Sequence, residues 1–120
     1  PEQLPMLLSS ADVALYLMDD TLLNRTKCPV KLADLIALGS VVVAEAVGQV
    51  SEYVISGHTG QLCPSGDVSG LTNNTVSLLE NTSRRSRMSA RAKAHYQTNF
   101  AWDLLVERLL QTYQKALARF

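Results

Sequence analysis

Lys31-Leu-Ala-Asp-Leu-Ile-Ala-Leu-Gly-Ser-Val-Val-Val-Ala44 decides the fold of this chain. Val30, Leu32, Ala33, Leu35, Ile36, Ala37 and Leu38 make residues 30–38 a mostly apolar helix, and Gly39 is a natural C-terminal stop. Val41-Val-Val-Ala44 follows at once, and three consecutive β-branched residues after a cap favour a buried parallel strand. Upstream, Val13-Ala-Leu-Tyr-Leu-Met18 is a compact apolar run, the pattern of a strand covered by helices on both faces. Asp19 to Pro29 reads as polar loop, and Leu4 with Met6, Leu7 and Leu8 as a short helix before the first strand. Downstream, a short helix is expected over Gln49–Ile55 and a third strand over Gln61–Cys63. The turn Pro64-Ser-Gly-Asp67 ends in a good N-cap. Val68, Leu71, Thr75, Leu78 and Leu79 recur at helical spacing, Arg84–Tyr96 is a basic helix, and Trp102, Leu105, Val106, Leu109, Leu110, Tyr113 and Leu117 form a clean apolar stripe.

Strand, helix, strand, helix, strand, helix is the order of an α/β chain with a parallel sheet and crossover helices. Right-handed crossovers place the three loops that follow the strands along one edge: Asp19–Pro29, Glu45–Gln49 and Pro64–Asp67. A ligand is expected there. The 120 residues suffice for one domain and exclude two. With 47 % hydrophobic and 18 % charged residues the chain folds, and with 6 % aromatics its core is aliphatic.

Eleven basic and eleven acidic side chains cancel, so no global charge draws the chain to nucleic acid or to an anionic membrane. The balance hides an asymmetry: residues 1–80 hold three bases and nine acids, residues 81–120 eight bases and two acids. Such halves attract each other or another acidic surface, or else the basic stretch is a solvated helix face. Cys28 and Cys63 are too few for a disulfide framework and read as reduced thiols of a cytoplasmic protein, the inner membrane surface being the alternative location. The tripeptides at Asn24, Asn73 and Asn81 are too short to argue for secretion. No run approaches membrane-spanning length, and a start on Pro without Met reads as a piece of a longer polypeptide.

Five pieces in order and spacing carry a family resemblance: Leu4 to Tyr16, Lys31 to Ala44, Gly48 to Val54, Gly57 to Leu62, and Gly66-Asp67. Together they resemble the C-terminal domain of retaining GT-B glycosyltransferases, the group that is glycogen-synthase-like in fold. Phe100-Ala-Trp102 and Tyr113 are similar to that group's final helix. The resemblance implies that residues 1–120 are a partial donor-binding domain, half of a Rossmann-like domain with a three-stranded parallel sheet and C-terminal helices. It also implies a missing N-terminal domain, a nucleotide-diphosphate sugar as donor, and a glycan, lipid or small-molecule acceptor. No metal or other cofactor is expected, since enzymes of this class do not need one for the chemistry.

The same resemblance suggests site residues. Family members carry two glutamates separated by seven residues; Asp34 matches the second, which takes the ribose hydroxyls, a task suited to an acceptor-only group. Thr26 stands where the first glutamate would be, leaving a hydroxyl to meet the donor sugar. Between them the family holds the diphosphate at a helix N-terminus, where orphan amides and the dipole favour anions. Here that stretch is Lys27-Cys-Pro-Val-Lys31 with Arg25 beside it, so Arg25, Lys27 and Lys31 form a candidate phosphate clamp, and Val30 and Leu32 flank it. A solvated basic loop is the plain alternative. Glu45 directly follows the second strand and is a candidate for sugar or base contact, while Gly48 permits close backbone approach. Asp19-Asp20 lacks the rest of a metal site and reads as a loop start, and His58 and His95 have no ligand spacing.

Two functions follow: the donor-nucleotide half of a glycosyltransferase, or a noncatalytic α/β interaction module on the same scaffold. A half sheet also leaves its first strand as an open edge, and Trp102, Leu105, Leu109 and Tyr113 without their partner. The isolated chain is therefore expected to self-associate as a homodimer and to transfer no sugar.

Overall fold

The computed structural model describes residues 3–119. Its elements are α1 (Leu4–Ser9), β1 (Ala14–Tyr16), α2 (Leu22–Thr26), α3 (Val30–Ala37), β2 (Val42–Glu45), α4 (Val50–Tyr53), β3 (Gly60–Cys63), α5 (Val68–Leu79), α6 (Thr82–Asn99) and α7 (Trp102–Leu117). The three strands form one parallel sheet in the order β1-β2-β3, with Ala14 opposite Val42 and Ala44 opposite Leu62. The alternation of strand and helix patterns predicts this parallel sheet, and the family resemblance its half Rossmann-like form.

Strand β2 is central because it is apolar on both faces. Val42 and Ala44 join Leu32, Ile36, Val50 and Ala92 in one core layer, while Val41 and Val43 join Cys63, Leu78 and Met88 in the other. Gly39 carries the turn between α3 and β2. Its φ of 83° is open to glycine at no steric cost. The Ser40 N–H donates to the Leu35 carbonyl and the Gly39 N–H to that of Ile36, the paired bonds of a Schellman stop.

Three expectations need correction. The polar stretch 19–29 is not all loop, because α2 forms within it: the Thr21 hydroxyl accepts the Asn24 N–H as its N-cap. With Leu22 and Leu23 both exposed, α2 has no apolar face for a periodicity to reveal. Strand β1 is not covered on both faces, since Leu15 is 50 % exposed and Leu17 60 %. The edge position decides this, and apolar content cannot report it. The helix expected over Gln49–Ile55 is a single turn, Val50–Tyr53.

The Asp67 cap does form, its carboxylate accepting the Gly70 N–H at 2.9 Å. The acidic and basic halves meet in one ion pair among the described residues, Arg85 to Asp12 at 3.1 Å. The same guanidinium caps α5 by donating to the carbonyls of Leu78 and Leu79. The remaining basic side chains of α6 have no acidic partner within 4 Å among the described residues.

Tyr53 closes one end of the core. Its ring stacks on Phe100 with centroids 4.2 Å apart, and its hydroxyl lies 3.8 Å from the Cys28 thiol. Burial first, then Cys28, push the phenol up to about 12. An unfolded tyrosine ionises near 10, so between these values the folded chain holds a proton that the unfolded chain has lost. This contribution is complete below pH 10 and disappears as pH rises through 12. Denaturant midpoints measured from pH 9 to 12 should fall, and Tyr53→Phe should flatten the fall.

Candidate functional site

The parallel sheet brings the loops after β1, β2 and β3 to one rim, and Glu45 binds them together. Its side chain is half-buried at the end of β2. Oε2 accepts the Met18 N–H at 2.6 Å, from the first loop, and Oε1 accepts the Gly66 N–H at 2.7 Å, from the third. The Ser65 hydroxyl donates to the Met18 carbonyl at 3.3 Å, so the first and third loops also touch directly. Charge-assisted bonds from amides to a carboxylate are the stronger kind. The carboxylate of Glu45 is thus occupied by the backbone of the rim.

The second loop meets the first at Gly48. Its φ is 55°, and a Cβ built there would sit 2.7 Å from the Arg25 carbonyl oxygen and 2.8 Å from its Cα. The close approach expected of this glycine is to the end of α2. Arg25 itself is fork-bonded to Asp20, Nε to Oδ1 at 2.6 Å and Nη2 to Oδ2 at 2.8 Å. That hydrogen-bonded guanidinium holds the Asp20 carboxyl below the usual carboxylate range. Arg25 therefore reaches the rim with its charge already balanced, whereas Lys27 and Lys31 are exposed and have no acidic partner among the described residues.

The Thr26 hydroxyl turns back to donate to the carbonyls of Leu22 and Leu23 at 3.2 and 3.1 Å. Val30 is exposed, but the Leu32 side chain is wholly buried in the core. At the head of α3 the amides of Leu32 and Ala33 donate to the Pro29 carbonyl, and that of Val30 to Cys28. The Lys31 amide has no backbone partner among the described residues. One turn further on, Asp34 is exposed, and Asp34 and Lys31 line the same groove of about 390 Å³, walled by Leu8, Leu15, Tyr16 and Leu35. Burial pushes the Tyr16 phenol upward, as does Cys28. Among the described residues no three His, Cys, Asp or Glu side chains cluster as a metal site.

Lys27, Lys31 and Asp34 thus stand together on or beside the head of α3, with Thr26 and Arg25 turned into local bonds and Leu32 into the core. The Glu45 bracket and the Ser65 bond to the Met18 carbonyl are not visible in the sequence. A glutamate directly after a strand was the only signal, and its partners lie 27 and 21 residues away.

A parallel sheet whose loops gather at the carboxyl ends of its strands is half of a Rossmann-like domain. The family described as glycosyl transferases group 1 matches residues 2–81, and the chain belongs to that family. Among curated relatives, a D-inositol 3-phosphate glycosyltransferase of Gordonia bronchialis is 34 % identical over 84 residues, 70 % of this chain and 18 % of its own length. A glycogen synthase of Mycobacterium tuberculosis is 30 % identical over 80 residues, 67 % of this chain and 19 % of its own length. The chain therefore spans under a fifth of these relatives.

Solved structures show the same fold at lower identity. Sucrose-phosphate synthase from Thermosynechococcus elongatus superposes on 99 % of this chain and 29 % of its own, with a TM-score of 0.80 at 24 % identity. Anabaena HepE, solved with UDP and glucose, covers 92 % of this chain and 29 % of its own, with a TM-score of 0.82 at 20 % identity.

Proposed function

We propose that this chain supplies the donor-nucleotide contacts of a glycosyltransferase that moves a sugar from a nucleotide-diphosphate sugar to an acceptor with retention. The remainder of the enzyme, an N-terminal domain included, is contributed by polypeptide beyond these residues. The observation that carries the reading is the head of α3, where Lys31 and Asp34 open on one groove walled by α1, β1 and α3. An acceptor-only carboxylate can hold two adjacent ribose hydroxyls. Lys27, Lys31 and the free Lys31 amide offer positive charge and a donor to a diphosphate at a helix N-terminus. In such a reaction the protein stabilises the leaving diphosphate and positions the acceptor for front-face attack. The HepE structures with UDP support this class of donor.

The test is calorimetric titration of UDP, GDP and ADP into the full-length polypeptide that carries this chain. Asp34→Ala should weaken binding of the preferred nucleotide by roughly 10- to 100-fold, the size of a lost hydrogen bond to a charged group. An unchanged Kd would remove the ribose role. Lys27→Ala with Lys31→Ala should weaken the diphosphate more than the bare nucleoside, and the difference should shrink in high salt. Equal losses for both ligands would show that the lysines act on shape and not on phosphate charge. The Thr26 hydroxyl, turned back onto its own helix, favours a second reading, a noncatalytic interaction module. That reading predicts no nucleotide binding at all.

A further inference from the structure

The amino ends of the strands, opposite the rim, carry a second opening. A groove of about 370 Å³ lies there between the α1–β1 turn, the α3–β2 turn and α6. Ser9 and Asp12 reach it from the first turn, Ser40 from the second, and Thr82, Ser86, Ser89 and Lys93 from α6. The four α6 residues follow one another at spacings of four, three and four, which sets them in one line along the helix. A lining of hydroxyls and charge has no need of an apolar element to cover it.

Three of the hydroxyls have their protons committed. Ser9 donates to the Met6 carbonyl at 3.0 Å, Ser40 to that of Leu8 at 3.3 Å and Ser89 to that of Gly39 at 2.6 Å. Towards a ligand such oxygens can only accept, so they select a molecule that brings hydroxyl protons of its own. Ser86 is exposed, and the Thr82 oxygen accepts an Arg85 N–H at 3.3 Å, which leaves both of these hydroxyls a proton to give among the described residues. The charges point to an anion. Arg85 meets the Asp12 carboxylate at 3.1 Å, whereas Lys93 has no acidic partner within 4 Å among the described residues. The groove therefore holds one uncompensated positive charge. Its stem lies along the α3–β2 turn, since a Cβ at Gly39 would strike Lys93 Cε. A phosphate monoester, at about −1.5 to −2 near neutral pH, is the common biological anion that comes attached to a hydroxyl-bearing body.

We propose that this groove binds a phosphorylated polyol, with its phosphate on Lys93 and its hydroxyls along the line of Ser86 and Ser89. The site is independent of the nucleotide reading, since it shares no residue with the rim or with the groove of Lys31 and Asp34. Calorimetric titration of glucose 6-phosphate, inorganic phosphate and glucose into the full-length polypeptide that carries this chain is the test. Glucose 6-phosphate should bind about 10-fold more tightly than either of its parts, each of which meets only some of the groups. Lys93→Gln should raise its Kd by roughly 10- to 100-fold, the loss of a hydrogen bond to a charged group, and Ser86→Ala by roughly 2- to 10-fold. Both side chains are exposed, so the melting temperature should stay near wild type. Arg87→Gln alters an exposed base of α6 outside the groove and should leave the Kd unchanged. Absence of binding overturns the proposal, as does equal affinity for inorganic phosphate and glucose 6-phosphate. A loss in Arg87→Gln as large as in Lys93→Gln would show diffuse attraction to α6 and overturn it too. Saturating UDP should leave the titration unchanged, and displacement by UDP would put the ligand at the rim, with the same consequence. Sedimentation of the wild type, but not of Lys93→Gln, with phosphatidylcholine vesicles carrying phosphatidylinositol would assign the polyol phosphate to a lipid headgroup in this same groove.

Discussion

Gly48→Ala should lower the unfolding free energy by about 3 kcal/mol, combining about 1–2 kcal/mol for a left-handed residue with a Cβ and about 1–3 kcal/mol for overpacking. The backbone at 48 has a φ of 55°. The new Cβ would fall 2.7 Å from a carbonyl oxygen and 2.8 Å from a Cα of Arg25, neither of which can swing aside as a flexible side chain would. Gly57 and Gly66 are built-in controls. Both have positive φ, 76° and 81°, yet a Cβ at either meets nothing within 4 Å. Their alanine variants should show the conformational cost alone. Urea denaturation of the three variants separates the terms, and equal losses at all three positions would show that the loop moves freely away from α2. Because Gly48 lies against the residue two before Lys27, nucleotide affinity should fall in Gly48→Ala and stay near wild type in Gly57→Ala.

Glu45→Ala should cost about 3 kcal/mol, since hydrogen bonds to a charged group contribute about 1.5–3 kcal/mol and an unsatisfied buried amide costs about 1–3 kcal/mol. The part-buried Met18 amide loses its acceptor outright, and the more exposed Gly66 amide can turn to water. Glu45→Gln is the more telling variant. Its amide keeps one acceptor but presents a donor to the second N–H, so it should recover only part of the loss. Hydrogen exchange at Met18 and Gly66 should accelerate in both variants, ahead of the core amides of β2. Protection left unchanged at those two positions would show that the loops hold without the bracket.

The order of elements was legible in the residues from 30 to 44 and the patterns either side of them. Gly39 reads as a stop and proves to be one, Asp67 reads as a cap and accepts the Gly70 amide, and the α7 stripe emerges as a helix face. These are local features, set within a turn or two of chain, and helix caps and strand runs act over that range. The neighbourhood of Lys27, Lys31 and Asp34 was legible for the same reason, being one loop and one helix turn.

What was hidden depends on residues far apart in the chain. Leu15 and Leu17 are as apolar as Val42 and Val43, yet the first pair is half exposed and the second buried. The position of each strand in the sheet alone makes that difference. Asp20 and Arg25 form their fork because α2 folds between them, and α2 has no buried face to announce it. By itself, then, the sequence determined the three strands and every helix but α2, their parallel order, and which charged residues stand at the head of α3. Tertiary structure alone decided that Glu45 holds the rim together and that Leu15 and Leu17 stay half exposed. Each of those outcomes is a contact made or not made across the fold, and burial and pairing at such distances are properties of the assembled chain.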